Sequence, residues 1–395
     1  MTRVADAASV TERDVGAVSA YVDAGGDVAL HPLVAGSVVA AGIDAVRGRA
    51  SAALTRWDGN VGSVTNQVRS PATGEVVSAT RLETWSTCPF RYFLTHVLSV
   101  PVEEEPERLL ELSPRERGTL VHAVLERFMD EELARPEAER VPAGESWPRS
   151  AVRRMREIVT ELMAETEAKG LTGKAVLWAL HREEIESDVV QFLLVDSLYR
   201  ERQGVVPESV EFPFGFDDAP PVEITVPSGA IVKFRGRADR IDRRPDGTRV
   251  VLDYKTGKQP SAPAGLAGDP VWGGARLQLP LYAEAARQRL GVDSVESAYW
   301  YISERGGFKR DEVLLDETTA DRFRTVIGQI VDGIDRGIFP AVPGEPDWFS
   351  GTDANCAYCD FDDLCPAQRG AQSAAKESAP ELEFLRALQP PEVEA

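Results

Sequence analysis

Between Ile231 and Lys258 the sequence reads IVKFRGRADRIDRRPDGTRVVLDYKTGK, and few folds can house that order of residues. Apolar residues on either side of Pro245-Asp246-Gly247 predict two antiparallel strands joined by a tight turn, with Val250, Val251 and Leu252 giving the second strand its bulk. Side chains two apart on a strand leave the same face, so Asp253 and Lys255 share one. Asp239 stands seven residues before Asp246 and Asp253 seven after it. A regular hairpin turning at Asp246 therefore sets the two carboxylates opposite each other, and a bulge would spoil that register. Facing carboxylates repel unless a proton or a cation lies between them, and a strand pair gains nothing structural from them. A hard divalent metal is the natural third party. A bare Asp-x-Lys at a strand end is usually surface alternation; Asp239 in register and the flanking Tyr254-Lys255-Thr256-Gly257-Lys258 argue against that here.

The surroundings read as an α/β domain with a mixed central sheet flanked by helices. Strands are expected at Val210–Phe216, Val222–Val226, Val295–Ser303 and Phe308–Leu315, and helices at Arg276–Leu290 and Thr318–Arg336. Pro280 is tolerable only in the first turn of its helix. Upstream, Ser113-Pro114-Arg115-Glu116 has capping-box spacing and starts a helix whose apolar face holds Leu120, Val121, Val124, Leu125 and Phe128. His122 and Glu126 lie four apart on one side of it. A helix from Ser78, with Leu82, Trp85 and Phe90 on its apolar side, breaks at Cys88-Pro89. Residues 130–205 read as a helical insertion, amphipathic over Val152–Met163 and helical again over Ala175–Arg202. This divides the chain into a helical and linker segment, 1–77, with a helix over Leu33–Trp57 that lacks a partner there; a main domain, 78–370; and an acidic tail, 371–395, expected to be mobile, whose Leu382, Phe384 and Leu385 are candidates for docking on a partner.

The chain has 395 residues, 43% hydrophobic, with a net charge of −20. It has no apolar run long enough to span a membrane, and its first residues lack the apolar core of a signal peptide. Cys356, Cys359 and Cys365 form C-x₂-C-x₅-C, and Cys88 is the remaining thiol. Clustered thiols fit a reduced compartment, the cytoplasm, and suit tetrahedral zinc, an iron-sulfur cluster or unlinked buried thiols.

The split Asp239…Asp253-x-Lys255 pattern resembles the signature of PD-(D/E)XK nucleases, and GRADRID…VVLDYKTGK resembles their RecB-type branch. Gly118–Phe128 looks like that branch's histidine motif and Gln278–Tyr282 its Gln-x-x-x-Tyr motif. Ser78–Leu98 with Cys356–Pro366 resembles the iron-sulfur staple of AddB-type nuclease domains, and Arg56–Gly62 resembles their lead-in from a helicase-like part. The resemblance implies that Asp239 and Asp253 bind Mg²⁺ or Mn²⁺, with His122 and the Tyr254 backbone carbonyl as further ligands and Glu126 as a weaker neighbour. It gives Lys255 the attacking water or the phosphate charge, assigns Gln278 and Tyr282 to holding the DNA strand and phosphate, and makes Cys88, Cys356, Cys359 and Cys365 the ligands of a [4Fe-4S] cluster. Glu211, in the strand before the hairpin, is either a further acidic site residue or a solvated carboxylate.

The activity implied is hydrolysis of DNA phosphodiesters, on single strands or processed ends and exonucleolytic, in recombinational repair of double-strand breaks. A nuclease-fold module that guides DNA without cutting it and a zinc-stapled RNA-processing enzyme are the competing readings. The negative charge is awkward for a phosphate binder, but the hairpin carries Lys233, Arg235, Arg237, Arg240, Arg243, Arg244, Lys255 and Lys258. An acidic body around a basic site suits a nuclease that receives DNA from a partner. No phosphate loop is present: Gly170-Leu171-Thr172-Gly173-Lys174 is too short. A helicase partner, or a helicase portion of a longer polypeptide, is expected to supply the motor.

Overall fold

Hydroxyl caps set the first helices of the computed structural model, which describes residues 7–63, 70–102, 111–216, 218–259, 265–347, 351–357 and 359–388. Ser9 caps α1 (Val10–Asp23), a helix the sequence reading lacked, and Ser37 caps α2 (Val38–Ala50), shortening the helix expected over Leu33–Trp57. After β1 (Val76–Val77), the Ser78 hydroxyl accepts from Arg81 N to start α3 (Ala79–Thr87), with Leu82 and Trp85 buried. The helix stops at Cys88, and Pro89 opens the short α4 (Pro89–Tyr92), which continues as a π turn, Phe93–Val97. Ser113 caps α5 (Pro114–Leu133), which buries the five apolar residues expected of it. The helices α6 (Arg149–Ala168) and α7 (Ala175–Gln203) follow. Next come β2 (Val206–Phe214), β3 (Val222–Thr225), β4 (Ile231–Phe234), β5 (Gly236–Arg243), β6 (Arg249–Lys255), α8 (Gly265–Gly268), α9 (Gln278–Leu290), β7 (Val295–Tyr301), β8 (Arg310–Leu314) and α10 (Glu317–Asp335). The short β9 (Pro346–Asp347), β10 (Thr352–Asp353), α11 (Arg369–Ala375) and α12 (Glu383–Leu388) complete the described chain.

The central sheet has the order β2-β5-β6-β7-β8. It is mixed: β6 and β7 run parallel, with α9 in the connection between them, and the other pairs are antiparallel. The hairpin turns as expected, pairing Arg240 with Leu252, Ile241 with Val251 and Asp242 with Val250. One step further along this register Asp239 and Asp253 stand opposite each other. The backbone ladder ends there, and the Asp239 carboxylate instead accepts the Tyr254 N–H at 2.6 Å. The bulge lies at Pro207–Ser209 in β2, outside the hairpin.

One expectation needs correction. Ile231–Phe234 is not the start of the hairpin strand but a separate strand, β4, in a second sheet of order β1-β4-β3. The chain changes sheets at Arg235-Gly236, where a Cβ on Gly236 would come within 2.5 Å of the Phe214 ring, so only glycine fits.

Alternation along β6 sorts its side chains between two layers. Val250, Leu252 and Tyr254 pack with α5, α6 and α7, while Val251 joins the core built with α3, α9 and α10. The helical insertion is thus one of the two layers covering the sheet. The tail also differs from expectation: Leu382 and Leu388 are buried and Phe384 stacks on Trp85 at 5.8 Å. The buried Lys376 ammonium donates to the carbonyls of Gly48, Ser51 and Ala53 and pairs with Asp58 at 2.8 Å. Residues 371–388 therefore strap the end of α2 to the main domain, while α2 itself buries no residue and leaves Val38, Val39 and Val46 exposed. The strap's apolar residues find Trp85, a contact too distant in sequence to be read from acidity and proline content; residues 389–395 lie outside the described residues.

Candidate active site

The same alternation points Asp253 and Lys255 away from the α5–α7 layer and toward α9. Asp253 is 5% exposed, and the Lys255 ammonium pairs with its Oδ2. Lys255 also donates to Gln278 Oε1 at 2.8 Å, from the first turn of α9. His122 on α5 lies 3.3 Å by Nδ1 from Asp239 Oδ1 and 3.1 Å by Nε2 from the Tyr254 carbonyl oxygen. His122, Asp239, Asp253, the Tyr254 carbonyl, Lys255 and Gln278 are thereby brought together. Tyr282, one turn after Gln278, is buried with its ring against Phe214. Burial, reinforced by the charges of Asp253 and Asp239, holds its pKa well above the usual value, so the phenol keeps its proton.

The electrostatics of this cluster are unbalanced. Burial raises the pKa of Asp253, Lys255 opposes that, and Asp239 adds to it. Burial alone would lower the His122 imidazole, but its bond to Asp239 and the charges of Asp239 and Asp253 prevail and raise it. Glu211 occupies the position across from Asp239, between the pairs Val210–Arg240 and Phe212–Ala238. Three carboxylates thus stand level across β2, β5 and β6. The Glu211 backbone has φ +47°, a conformation that a non-glycine strand residue adopts only under constraint. Burial, then the charges of Asp239 and Glu126, push its carboxyl up to about 7. That leaves Glu126 near the cluster, beyond His122.

Sequence reasoning missed two participants. Glu83 on α3 accepts from the N–H groups of Leu277 (2.6 Å) and Gln278 (3.2 Å), capping α9 and fixing Gln278. The signal was the absence of any Ser, Thr, Asp or Asn at the start of α9, where Leu277 takes the cap position. Arg276 lies with His122, Lys255 and Lys258 around an open hollow of about 330 Å³ above Tyr254. The basic hairpin, in contrast, is not a free cationic surface. Arg240 is wholly buried against Asp242 and Asp196, and Lys233, Arg237, Arg243 and Arg244 pair with Glu223, Glu211, Glu208 and Glu296.

At the other end, Cys88, at the break between α3 and α4, lines one small cavity with Cys356, Cys359 and Cys365. Burial raises the Cys88 thiol and lifts Cys365 to about 11.

Residues 76–366 match the family model of the PD-(D/E)XK nuclease superfamily. The chain belongs to that superfamily. Among its relatives are proteins named as one subunit of an ATP-dependent helicase/deoxyribonuclease. That of Moorella thermoacetica is 29% identical over 259 residues, covering 63% of this chain and 21% of the relative. That of Symbiobacterium thermophilum is 33% identical over 223 residues, covering 53% and 17%, and that of Clostridium novyi 28% over 217 residues, covering 53% and 18%. The chain spans about a fifth of the length of these relatives.

Nucleases of this superfamily generally use divalent metals, and the donor types of this member suit one: His122 touches both Asp239 and the Tyr254 carbonyl, and Asp253 stands across the hairpin from Asp239. The buried Asp253 Oδ2 has only the charge of Lys255 and no well-formed hydrogen bond. Among the described residues no three His, Cys, Asp or Glu side chains are closed into a cage; each carboxylate is turned to a neighbouring N–H or cation instead. Among those residues, too, no helix is long and apolar enough to cross a membrane.

Proposed function

We propose that this chain is the metal-dependent deoxyribonuclease part of a helicase–nuclease system, cutting single strands or processed ends exonucleolytically during double-strand break repair in the cytoplasm. The observation that carries this reading is the Lys255 ammonium held between Asp253 and Gln278 at the rim of the hollow that His122 and the Tyr254 carbonyl also line. The relatives' name, which makes them part of a helicase/deoxyribonuclease, favours DNA as substrate and a helicase as partner.

Asp239, Asp253, His122 and the Tyr254 carbonyl would hold Mg²⁺ or Mn²⁺. Bound there, the cation would activate a water and offset charge on the phosphate. The remaining work falls to the chain's own groups. Lys255, held by its contacts to Asp253 and Gln278, directs its ammonium at the phosphate oxygens or the attacking water, where negative charge develops. Gln278, held by Glu83 at the start of α9, places that ammonium; Tyr282, protonated, would donate to a phosphate oxygen. At the opposite end, Cys88, Cys356, Cys359 and Cys365 would hold a [4Fe-4S] cluster, tying the end of α3 to a segment more than 260 residues away and removing the entropy of that loop from the unfolded state.

The test is incubation of the purified chain with labelled single-stranded, duplex and matched RNA substrates, with Mg²⁺ or EDTA, with and without ATP. Cleavage of single-stranded DNA that needs the metal and ignores ATP is expected; metal-independent cleavage, or none, sinks the proposal.

A further inference from the structure

Trp272 has a backbone conformation that tryptophan rarely takes, with φ +42°. Such strain persists only where the surroundings over-determine it. Here the restraints are plain. The buried Asp269 accepts from Gly273 N at 2.8 Å and is gripped by Arg322 at 2.9 Å. The Ser86 hydroxyl donates to Gly273 O at 2.6 Å, and a Cβ on Gly274 would meet that hydroxyl at 2.7 Å. None of these restraints belongs to the catalytic cluster, and their joint product is a half-buried indole held in place.

Over that indole lies the Arg276 guanidinium, 5.6 Å from the ring centroid. The same guanidinium is 5.4 Å from the Tyr299 ring, which the Lys255 ammonium also faces at 4.7 Å. Arg276 therefore lines the hollow above the metal-binding cluster, while Trp272 lines a second, larger cavity of about 860 Å³. The lining of this cavity also carries another aromatic–cation pair, with the exposed Arg56 guanidinium 4.5 Å from the Trp57 ring. The Arg49 Nε–H donates to the Trp57 carbonyl there at 3.2 Å. Of the acids on the lining, Asp58 is neutralised by Lys376 at 2.8 Å and Asp353 by Arg369 at 3.5 Å, leaving Glu345 and Glu377 against the arginines.

We infer that the larger cavity is a track for single-stranded DNA leading to the metal site. Trp272 stacks one base at the junction of the two hollows, Arg276 grips the phosphate beside it, and Arg56 with Trp57 forms a second station further back. The inference rests on the nuclease reading and adds the route of the strand to it. Stacked aromatics with guanidinium groups bind unpaired bases of any sequence, and a cavity of this size holds a few nucleotides of one strand and excludes a duplex.

The test uses the purified full chain. Binding of labelled oligothymidylates from about two to about twelve nucleotides is measured with Ca²⁺ in place of Mg²⁺, and steady-state cleavage with Mg²⁺. Trp272→Ala and Arg56→Ala should each weaken binding of the longest strand about tenfold and raise KM with little change in kcat. Both should flatten the gain in affinity with length, and Trp272→Phe should restore most of it. Because Arg56 is exposed, that variant reports on the track even if Trp272→Ala folds poorly. Wild-type binding of the long strand by both alanine variants overturns the track, as does equal loss for short and long strands. A wild-type chain that neither binds nor cuts single strands overturns the nuclease reading along with it, a result distinguishable from failure of the track alone.

Discussion

Neighbouring residues on β5 send charge to opposite faces of one sheet, with opposite outcomes. On the α7 side, Arg240 donates to Asp242 at 2.6 and 2.8 Å and to Asp196 at 2.9 Å, with all three side chains shut from solvent. Trp147 adds an indole N–H to Asp196 at 2.6 Å. On the α9 side, Asp239 and Asp253 share one lysine and one histidine beneath an open hollow. The first cluster is closed, with its guanidinium nitrogens matched to carboxylate oxygens; the second has unsatisfied negative charge and a mouth through which a cation and a phosphate can enter. Buried charge of similar kind, on the same strand, thus serves cohesion where it is sealed and paired, and chemistry where it is accessible and short of positive charge.

The widest separation between the two clusters should come from Asp253→Ala. Cleavage should fall about a thousandfold or more, measured on single-stranded DNA with Mg²⁺, while resistance to urea stays the same or rises, since folding already disfavours the charge on Asp253. Lys255→Ala should lose activity similarly. Unchanged cleavage in either variant would remove the distinction between the faces.

Arg240→Ala should do the reverse. Two carboxylates would be left buried without their cation, at a cost of about 3–5 kcal/mol, read as a lower urea midpoint. The loss of activity should track the loss of folded protein. A stable but inactive Arg240→Ala chain would mean that the sealed cluster has a catalytic part after all.

Why one face was legible in the sequence and the other was not follows from range. The hairpin register depends on a turn a few residues away, and His122 on a helix whose cap and apolar stripe are local, so Asp239, Asp253, Lys255 and His122 fall where the sequence places them. Arg240 was counted as part of a basic surface because its partner Asp196 lies 44 residues earlier. Glu83 caps a helix start 194 residues ahead of it, and Phe384 covers a tryptophan at the opposite end of the chain. Contacts of that span leave no periodicity to read. Neither did the change of sheet at Gly236, since apolar residues alternate on both sides of it.

The thiol cavity extends the comparison to a third cluster, which under the proposed function a bound iron-sulfur group would close instead of ion pairs. Anaerobically purified chain should carry about four irons, and Cys359→Ser should lose most of them together with about 3 kcal/mol of stability. Stoichiometric zinc with no iron would replace the cluster by a zinc staple and leave the nuclease site untouched.

The smallest effect, read one pH unit at a time, belongs to Glu83, a half-buried acid that caps a helix instead of pairing with a cation. Burial lifts its carboxyl from 4.5 to about 7, even though the N–H groups of Leu277 and Gln278 and the charges of Lys255 and Arg276 pull it down. With the folded-state pKa above the unfolded one, the folded chain holds a proton between about 4.5 and 7 that the unfolded chain has released. The resulting stabilisation is complete below 4.5 and is lost as pH rises through 7. Glu83→Gln keeps the acceptor oxygen for both N–H groups and removes the titration. Urea midpoints taken across this window should therefore fall more steeply for wild type than for the variant, by up to about 1.4 kcal/mol per pH unit. His122 titrates in both proteins and cancels from the difference. Parallel profiles would show that the carboxylate is ionised throughout the window, its charge compensated by Lys255 and Arg276, and would place Glu83 within the cationic rim of the site.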